Sequence, residues 1–357
     1  MDHALRRSAL AARLDELDVD AVLVTHLPNV RYLSGFTGSN GQVVVAREAS
    51  VFLTDGRYTE QSRHEVPDLE RVTYLGPMAE ALGAVCTRLG ARRVGFEAHA
   101  VTVRGLERIA AGLPDGELLA LGEEVERQRW VKDPEELDML RRAQSATDEA
   151  FDDILEFLAV GRSERQVAHE LERLMRREGA DGMAYDPIVA FGAWAAEPHH
   201  EPGHALLQEG DVITMDFGAL WAGYHADMTR TIAFGEPPAE LSKIHDVVRS
   251  AQQAGIDAVR QGVTGAEVDR TARAVVEDAG YGDHFTHGLG HGVGLEIHEG
   301  PRLGREFDHV LPAGAVVTVE PGIYVAGLGG VRVEDMVEVT DDGCRVIGTS
   351  TRDLIEL

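Results

Sequence analysis

Four acidic side chains sit inside, or at the end of, runs that otherwise read as buried β-strand, and nothing else in the chain constrains its fold as strongly. Asp216 lies in Val-Ile-Thr-Met-Asp-Phe-Gly, Asp227 in Tyr-His-Ala-Asp-Met-Thr-Arg, Glu320 in Val-Thr-Val-Glu-Pro-Gly and Glu334 in Gly-Val-Arg-Val-Glu-Asp. An unpaired carboxylate buried among apolar residues is costly, so the fold must supply compensation. Asp216 and Asp227 flank Trp221-Ala-Gly223 at the spacing of a hairpin, which sets two strand carboxylates side by side. Such a pair repels unless a cation or a shared proton lies between its members. A bland alternative for either aspartate is a turn cap or a pairing with Arg230.

The segment His287-Gly-Leu-Gly-His291-Gly-Val-Gly-Leu-Glu-Ile-His298-Glu is harder to explain as packing. Its three histidines, with glycines at 288, 290, 292, 294 and 300, suit close backbone approach around a site. Four carboxylates and a histidine make a hard, oxygen-rich donor set. It suits two divalent ions such as Mn²⁺, Co²⁺ or Zn²⁺ with room for a bridging water.

The remaining sequence places this site in a two-domain protein. At 357 residues the chain exceeds the usual single-domain size. Up to about residue 126 it alternates helix and strand: Leu5, Leu10, Leu14 and Leu17 at helical spacing, an apolar strand from Ala21, a loop with Pro28, Asn29, Gly35 and Gly38, strands 42–46 and 51–54, a helix Met78–Leu89 and a strand 92–96. Asp133-Pro134-Glu135-Glu136 is a strong helix start, and Ser163 with Gln166 matches a capping box. The expectation is a small α/β domain over 1–126 and an α+β domain over 127–357.

A net charge of −27 argues against a nucleic-acid partner, and no apolar window is long enough to span a membrane. The N-terminus shows helical spacing in place of a signal peptide's continuous apolar run, which places the expected protein in the cytoplasm. Cys86 and Cys344 have no paired metal-ligand spacing and read as inert thiols.

The order Asp, Asp, His, Glu, Glu, each with these neighbours, resembles the pita-bread metallopeptidase family that includes methionine aminopeptidase, aminopeptidase P and prolidase. Phe52-Leu-Thr-Asp-Gly-Arg-Tyr-Thr-Glu60 resembles its creatinase-type N-terminal domain. The resemblance implies metal ligands Asp216, Asp227, His291, Glu320 and Glu334. It implies catalytic roles for His199, His298, His287 and Glu320, and substrate contacts from Tyr185, His199, His298 and Arg332. It departs at residues 190–197, where Ala-Phe-Gly-Ala-Trp-Ala-Ala-Glu stands in for a Ser-Gly-containing stretch, so the resemblance assigns no pocket role to Phe191 or Trp194, and an aromatic in such a loop is more often simply packed.

The implied activity is hydrolysis of an Xaa-Pro bond by a homodimer, with dipeptides as substrates (prolidase) or, alternatively, longer peptides (aminopeptidase P). Methionine aminopeptidases normally lack the first domain, creatinase lacks the metal set, and a dead domain used for protein binding would not keep all five ligands. Arg31, Arg47 and Arg57 are candidates to meet a dipeptide's carboxylate.

Overall fold

The computed structural model describes residues 1–357, which divide into two compact units, Met1–Arg129 and Trp130–Leu357. In chain order the first contains α1 (His3–Ala11), β1 (Ala21–Val24), α2 (Leu27–Ser34), β2 (Gly41–Ala46), β3 (Ser50–Asp55), α3 (Thr59–Glu65), β4 (Glu70–Tyr74), α4 (Met78–Leu89), β5 (Arg93–Glu97), α5 (Val103–Gly112), β6 (Glu117–Leu121) and α6 (Glu124–Arg129). Its mixed sheet has the order β4-β3-β2-β1-β5-β6, with β1 antiparallel to β2 and parallel to β5. Every residue of β1 and β2 is buried, which is why both read as mostly apolar runs without alternation.

Leu27–Ser34, expected as loop, is instead helix α2. Pro28 lies in its first turn, where a missing N–H leaves no bond unmade, and Gly35 ends it in the left-handed region at φ 80°. Arg47 is paired with Asp15. Arg57 is paired with Asp55 at 2.8 Å.

The second unit contains α7 (Pro134–Phe157), α8 (Glu164–Arg177), β7 (Gly182–Met183), β8 (Ile188–Phe191), β9 (Val212–Phe217), β10 (Ala219–Trp221), β11 (Tyr224–His225), β12 (Met228–Ala233), α9 (Ala239–Ala258), α10 (Gly265–Asp278), β13 (Gly290–Gly292), β14 (Glu299–Leu303), β15 (Val316–Val319), β16 (Gly322–Val325), β17 (Gly329–Arg332), β18 (Asp335–Val339) and β19 (Cys344–Val346). Complete capping boxes start α7 (Asp133 with Glu136), α8 (Ser163 with Gln166) and α10 (Thr264 with Glu267).

Each helix pair covers its own antiparallel sheet. Phe151 and Ile154 of α7 and Leu171 and Met175 of α8 pack on Ile213, Met215 and Phe217 of the sheet β12-β9-β8. Ile244 and Val248 of α9 and Val268 and Ala272 of α10 pack on Val317, Val319 and Val337 of the sheet β14-β13-β15-β18-β19. This is the α+β layering of a pita-bread domain, and it leaves the strand ends that carry the acidic residues at a cleft.

Two buried ion pairs hold those ends. Arg230 pairs with Asp335 at 2.7 Å and also donates to the carbonyls of Thr229 and Glu334, so it fixes the chain at Glu334 and pairs with neither Asp216 nor Asp227. Lys132 meets Glu299 at 2.8 Å, with both side chains almost fully buried. Losing one partner of such a pair typically costs roughly 3–5 kcal/mol, so Lys132 holds the segment beside His298 in place.

Candidate metal centre and active-site cleft

The expected hairpin exists, but its ladder is interrupted. Ala222 (φ 46°) and Gly223 (φ 79°) form the tight turn, and β10 pairs with β11 through Trp221 and Tyr224. At Gly218 the two arms come so close that a Cβ would stand 1.8 Å from the carbonyl oxygen of Ala226, so no other residue fits. Pairing resumes between β9 and β12, with Thr229 opposite Asp216. Asp227 therefore lies in the break and not directly across from Asp216. Both carboxylates nevertheless reach the Tyr185 hydroxyl, at 2.5 and 2.6 Å, and its single proton satisfies one of them at a time.

The other three residues arrive from the second sheet and the hairpin β16-β17. His291 is the middle residue of β13, Glu320 follows β15, and Glu334 follows β17. His291 Nδ1 donates to the carbonyl of Gly292, which turns Nε2 toward Asp227 (3.5 Å) and Glu320 (3.3 Å). Gly290, the residue before it, is packed so tightly on β15 that a Cβ would lie 2.1 Å from the carbonyl oxygen of Thr318. From α10, Arg273 binds the carbonyls of Phe285 and His287 while Asp269 accepts the N–H of Leu289, so a buried pair anchors the glycine-rich segment. Two threonines orient the glutamates: Thr229 donates to Glu334 (2.6 Å) and Thr318 to Glu320 (3.1 Å).

The electrostatics of this cluster fit a divalent cation. Burial, reinforced by the charge of Asp216, pushes Asp227 up to about 8, and burial with the charge of Asp227 takes Glu334 well above the carboxylate range. Burial alone would lower His291 and raise Glu320; their mutual contact outweighs it and takes His291 up to about 9 and Glu320 down to about 2. The protein thus offsets repulsion among four carboxylates by retaining protons, which a dication displaces. Donor atoms of Asp227, His291 and Glu334 already lie within 4.8 Å of one another.

The cluster lines a cleft of ≈610 Å³ together with His199, His298, His287, Ile297, Phe307, Arg302 and Arg332. This is within the usual range for a small-molecule site, about 300–1,000 Å³. Arg332 meets Asp216 at 2.6 Å and donates to the Tyr324 hydroxyl at 2.7 Å. That hydroxyl is 3.0 Å from His287 Nε2, and His287 Nδ1 is 2.8 Å from the carbonyl of Gly288. Burial pushes Tyr324 up to about 12, so its proton stays and points to Nε2. Both nitrogens of His287 are thereby engaged, and the ring serves to hold Tyr324 and Arg332.

His298 stands edge-on to His291, ring centroids 4.4 Å apart, and its pKa is lowered first by burial and then by the charge of His291. The loop carrying His199 is clamped by the next residue, His200, which bridges Glu164 and Glu197 at 3.0 Å each. Glu164 is fully buried and also accepts the N–H groups of Phe191 and Gly203. Phe191 is a core residue and Trp194 stacks on His200; neither lines the cleft. Tyr324, Thr229, Thr318, Glu164 and Arg302 are absent from the expected site. The threonines do carry a signal: each lies two positions from a candidate ligand, Thr229 after Asp227 and Thr318 before Glu320.

Two family profiles match the chain: "Metallopeptidase family M24" over residues 138–341 and "Creatinase/Prolidase N-terminal domain" over residues 6–131. Among curated relatives, an uncharacterised peptidase of Bacillus subtilis is 41% identical, covering 96% of this chain and 97% of that one. An Xaa-Pro dipeptidase of Pyrococcus horikoshii is 32% identical, covering 96% of each. Among solved structures, an Xaa-Pro dipeptidase from Bacillus anthracis superposes with a TM-score of 0.98 at 38% identity, covering 100% of both chains. An X-Pro aminopeptidase from Thermotoga maritima gives 0.90 at 35% identity, covering 97% of this chain and 100% of that one.

Proposed function

Because the chain belongs to metallopeptidase family M24, with a creatinase/prolidase N-terminal domain ahead of the catalytic one, we propose that it hydrolyses the Xaa-Pro bond of dipeptides in the cytoplasm, as a homodimer carrying two divalent ions per catalytic domain. The observation that supports this reading is the gathering of Asp216, Asp227, His291, Glu320 and Glu334 in one cleft that is also lined by His199, His298 and an arginine without an ion pair, Arg302.

These five side chains would hold the ions. When bound, the ions lower the pKa of a water and polarise the scissile carbonyl. Glu320 accepts the proton of the attacking water and delivers it to the proline nitrogen as the C–N bond breaks, giving free Xaa and proline. His298 and His199 donate N–H groups to the carbonyl oxygen, where negative charge grows in the tetrahedral intermediate. Arg332 and Tyr185 keep Asp216 and Asp227 in place. Proline's nitrogen has no N–H to offer in an Xaa-Pro bond, so selectivity rests on ring shape and on the substrate's charged ends.

Arg302 supports the dipeptide reading. It lines the cleft, it is exposed, and it makes no ion pair, whereas the other cleft arginine, Arg332, is committed to Asp216 and Tyr324. A guanidinium pairs a carboxylate in a bidentate, charge-assisted manner. In a dipeptide that carboxylate belongs to the proline itself; in a tripeptide it is displaced by one residue.

Arg302→Ala is expected to lower kcat/KM on Ala-Pro about 10- to 100-fold, matching the roughly 1.5–3 kcal/mol of hydrogen bonds to charged groups. The loss on Ala-Pro-Ala is expected to be far smaller. A wild-type enzyme that prefers the tripeptide, with equal losses on both substrates in the variant, favours an aminopeptidase acting on longer peptides.

A further inference from the structure

In the first unit, which contains none of the five candidate ligands of the catalytic domain, three residues from separate elements bring potential donor atoms together. His26 precedes α2, His99 lies just beyond β5, and Glu126 is on α6; one donor atom from each lies within 4.8 Å of the others. His99 Nε2 is 3.0 Å from Glu126 Oε1, and the His26 and His99 rings meet edge to face with centroids 5.5 Å apart. Glu126 Oε2 is buried and accepts no hydrogen bond. A buried polar atom left unsatisfied costs about 1–3 kcal/mol, so it calls for an explanation. A plain His99–Glu126 ion pair employs Oε1 and leaves Oε2 unsatisfied.

The surroundings are those of a built site. Asn29 Nδ2 donates to Glu126 Oε1 and, at 2.7 Å, to Glu97 Oε1; Arg129 donates to Asn29 Oδ1 at 2.8 Å. Glu97 Oε2 accepts the N–H groups of Thr25 (2.7 Å) and His26 (2.8 Å), which fixes the backbone from which the His26 ring projects.

We propose that His26, His99 and Glu126 bind one divalent transition-metal ion of borderline softness, Zn²⁺ being the best match. Two imidazoles and one carboxylate form a three-ligand tetrahedral set with a fourth position open. Bonds of about 2.0–2.1 Å put tetrahedral donors roughly 3.3 Å apart, close to the His99–Glu126 separation seen. Mg²⁺ and Ca²⁺ prefer all-oxygen sites and suit this one poorly. The His99 side chain is 40% exposed, which gives the ion a way in. Held there, the ion ties together three elements distant in sequence.

The test uses the full-length chain carrying His291→Ala and Glu334→Gln, which removes two of the five candidate ligands of the catalytic cleft. After equilibration with Zn²⁺ and removal of free ion, elemental analysis is expected to find one equivalent retained. Adding His99→Ala is expected to weaken that binding at least about 10- to 100-fold, the scale seen when merely the outer partners of metal ligands are altered. His26→Gln, which keeps the N–H that Glu97 accepts, is expected to do the same, and unchanged circular dichroism without zinc shows that both variants fold. No retained zinc in the folded parent variant overturns the proposal. Zinc retained undiminished in both His99→Ala and His26→Gln overturns it as well.

Discussion

Asp216→Asn, His291→Ala or Glu320→Gln is expected to bring Xaa-Pro turnover below detection, and the first two to lose bound metal as well. Asp216 and Asp227 share one phenol proton from Tyr185, Asp227 is held near 8 by burial and by Asp216, and burial takes Glu334 well above the carboxylate range. A cluster so poorly compensated by protein groups draws its stabilisation from a cation, and each missing donor weakens that cation's hold. Glu320→Gln differs from the others. It preserves shape and an oxygen while removing the group that carries the proton to the leaving nitrogen, so activity falls further than metal content. Elemental analysis beside Ala-Pro hydrolysis on the same samples reads both quantities. Full activity with full metal in Asp216→Asn would remove that residue from the ligand set.

The second large effect belongs to the imidazoles that line the cleft beside the acidic cluster. His298→Ala and His199→Ala are each expected to lower kcat by about 10²- to 10³-fold, the usual scale for removing one donor to a developing oxyanion, with metal content near wild type. For His298 the distinction is demanding, because its ring stands 4.4 Å from that of His291. Loss of metal in His298→Ala would mean that the residue is a ligand and not a donor to the substrate.

What could be read in advance follows the range of the forces involved. Asp133-Pro134-Glu135-Glu136 and Ser163 with Gln166 were legible because a capping box is closed within four residues, and both are complete in the structure. Asp216, Asp227, Glu320 and Glu334 stood out because a carboxylate in an apolar strand needs compensation that nothing nearby in sequence provides.

Features that depend on tertiary neighbours stayed hidden. Tyr324 reads as one more apolar strand residue until Arg332 and His287 are placed on its hydroxyl. Arg302 is one arginine among many until β14 brings it to the cleft. Helix α2 was misread because Pro28 and Gly35 are loop residues and helix-end residues alike, and only the buried face of Val30 and Leu33 decides between the two. Strands β4 and β6 are half exposed at the sheet's edges, so they lack the apolar run that marked β1. His26, His99 and Glu126 come from elements too far apart in sequence for any local pattern to connect them.

The central claim is that this cleft hydrolyses Xaa-Pro bonds only when its acidic cluster holds metal. Its most direct test is to follow Ala-Pro hydrolysis and metal content in a single preparation as purified, after chelation, and during stepwise reloading with Mn²⁺ or Co²⁺. Hydrolysis is expected to disappear with the metal and to return as two equivalents are taken up. A chelated, metal-free chain that cleaves Ala-Pro at an undiminished rate, or a fully reloaded one that cleaves no Xaa-Pro bond, would contradict that claim.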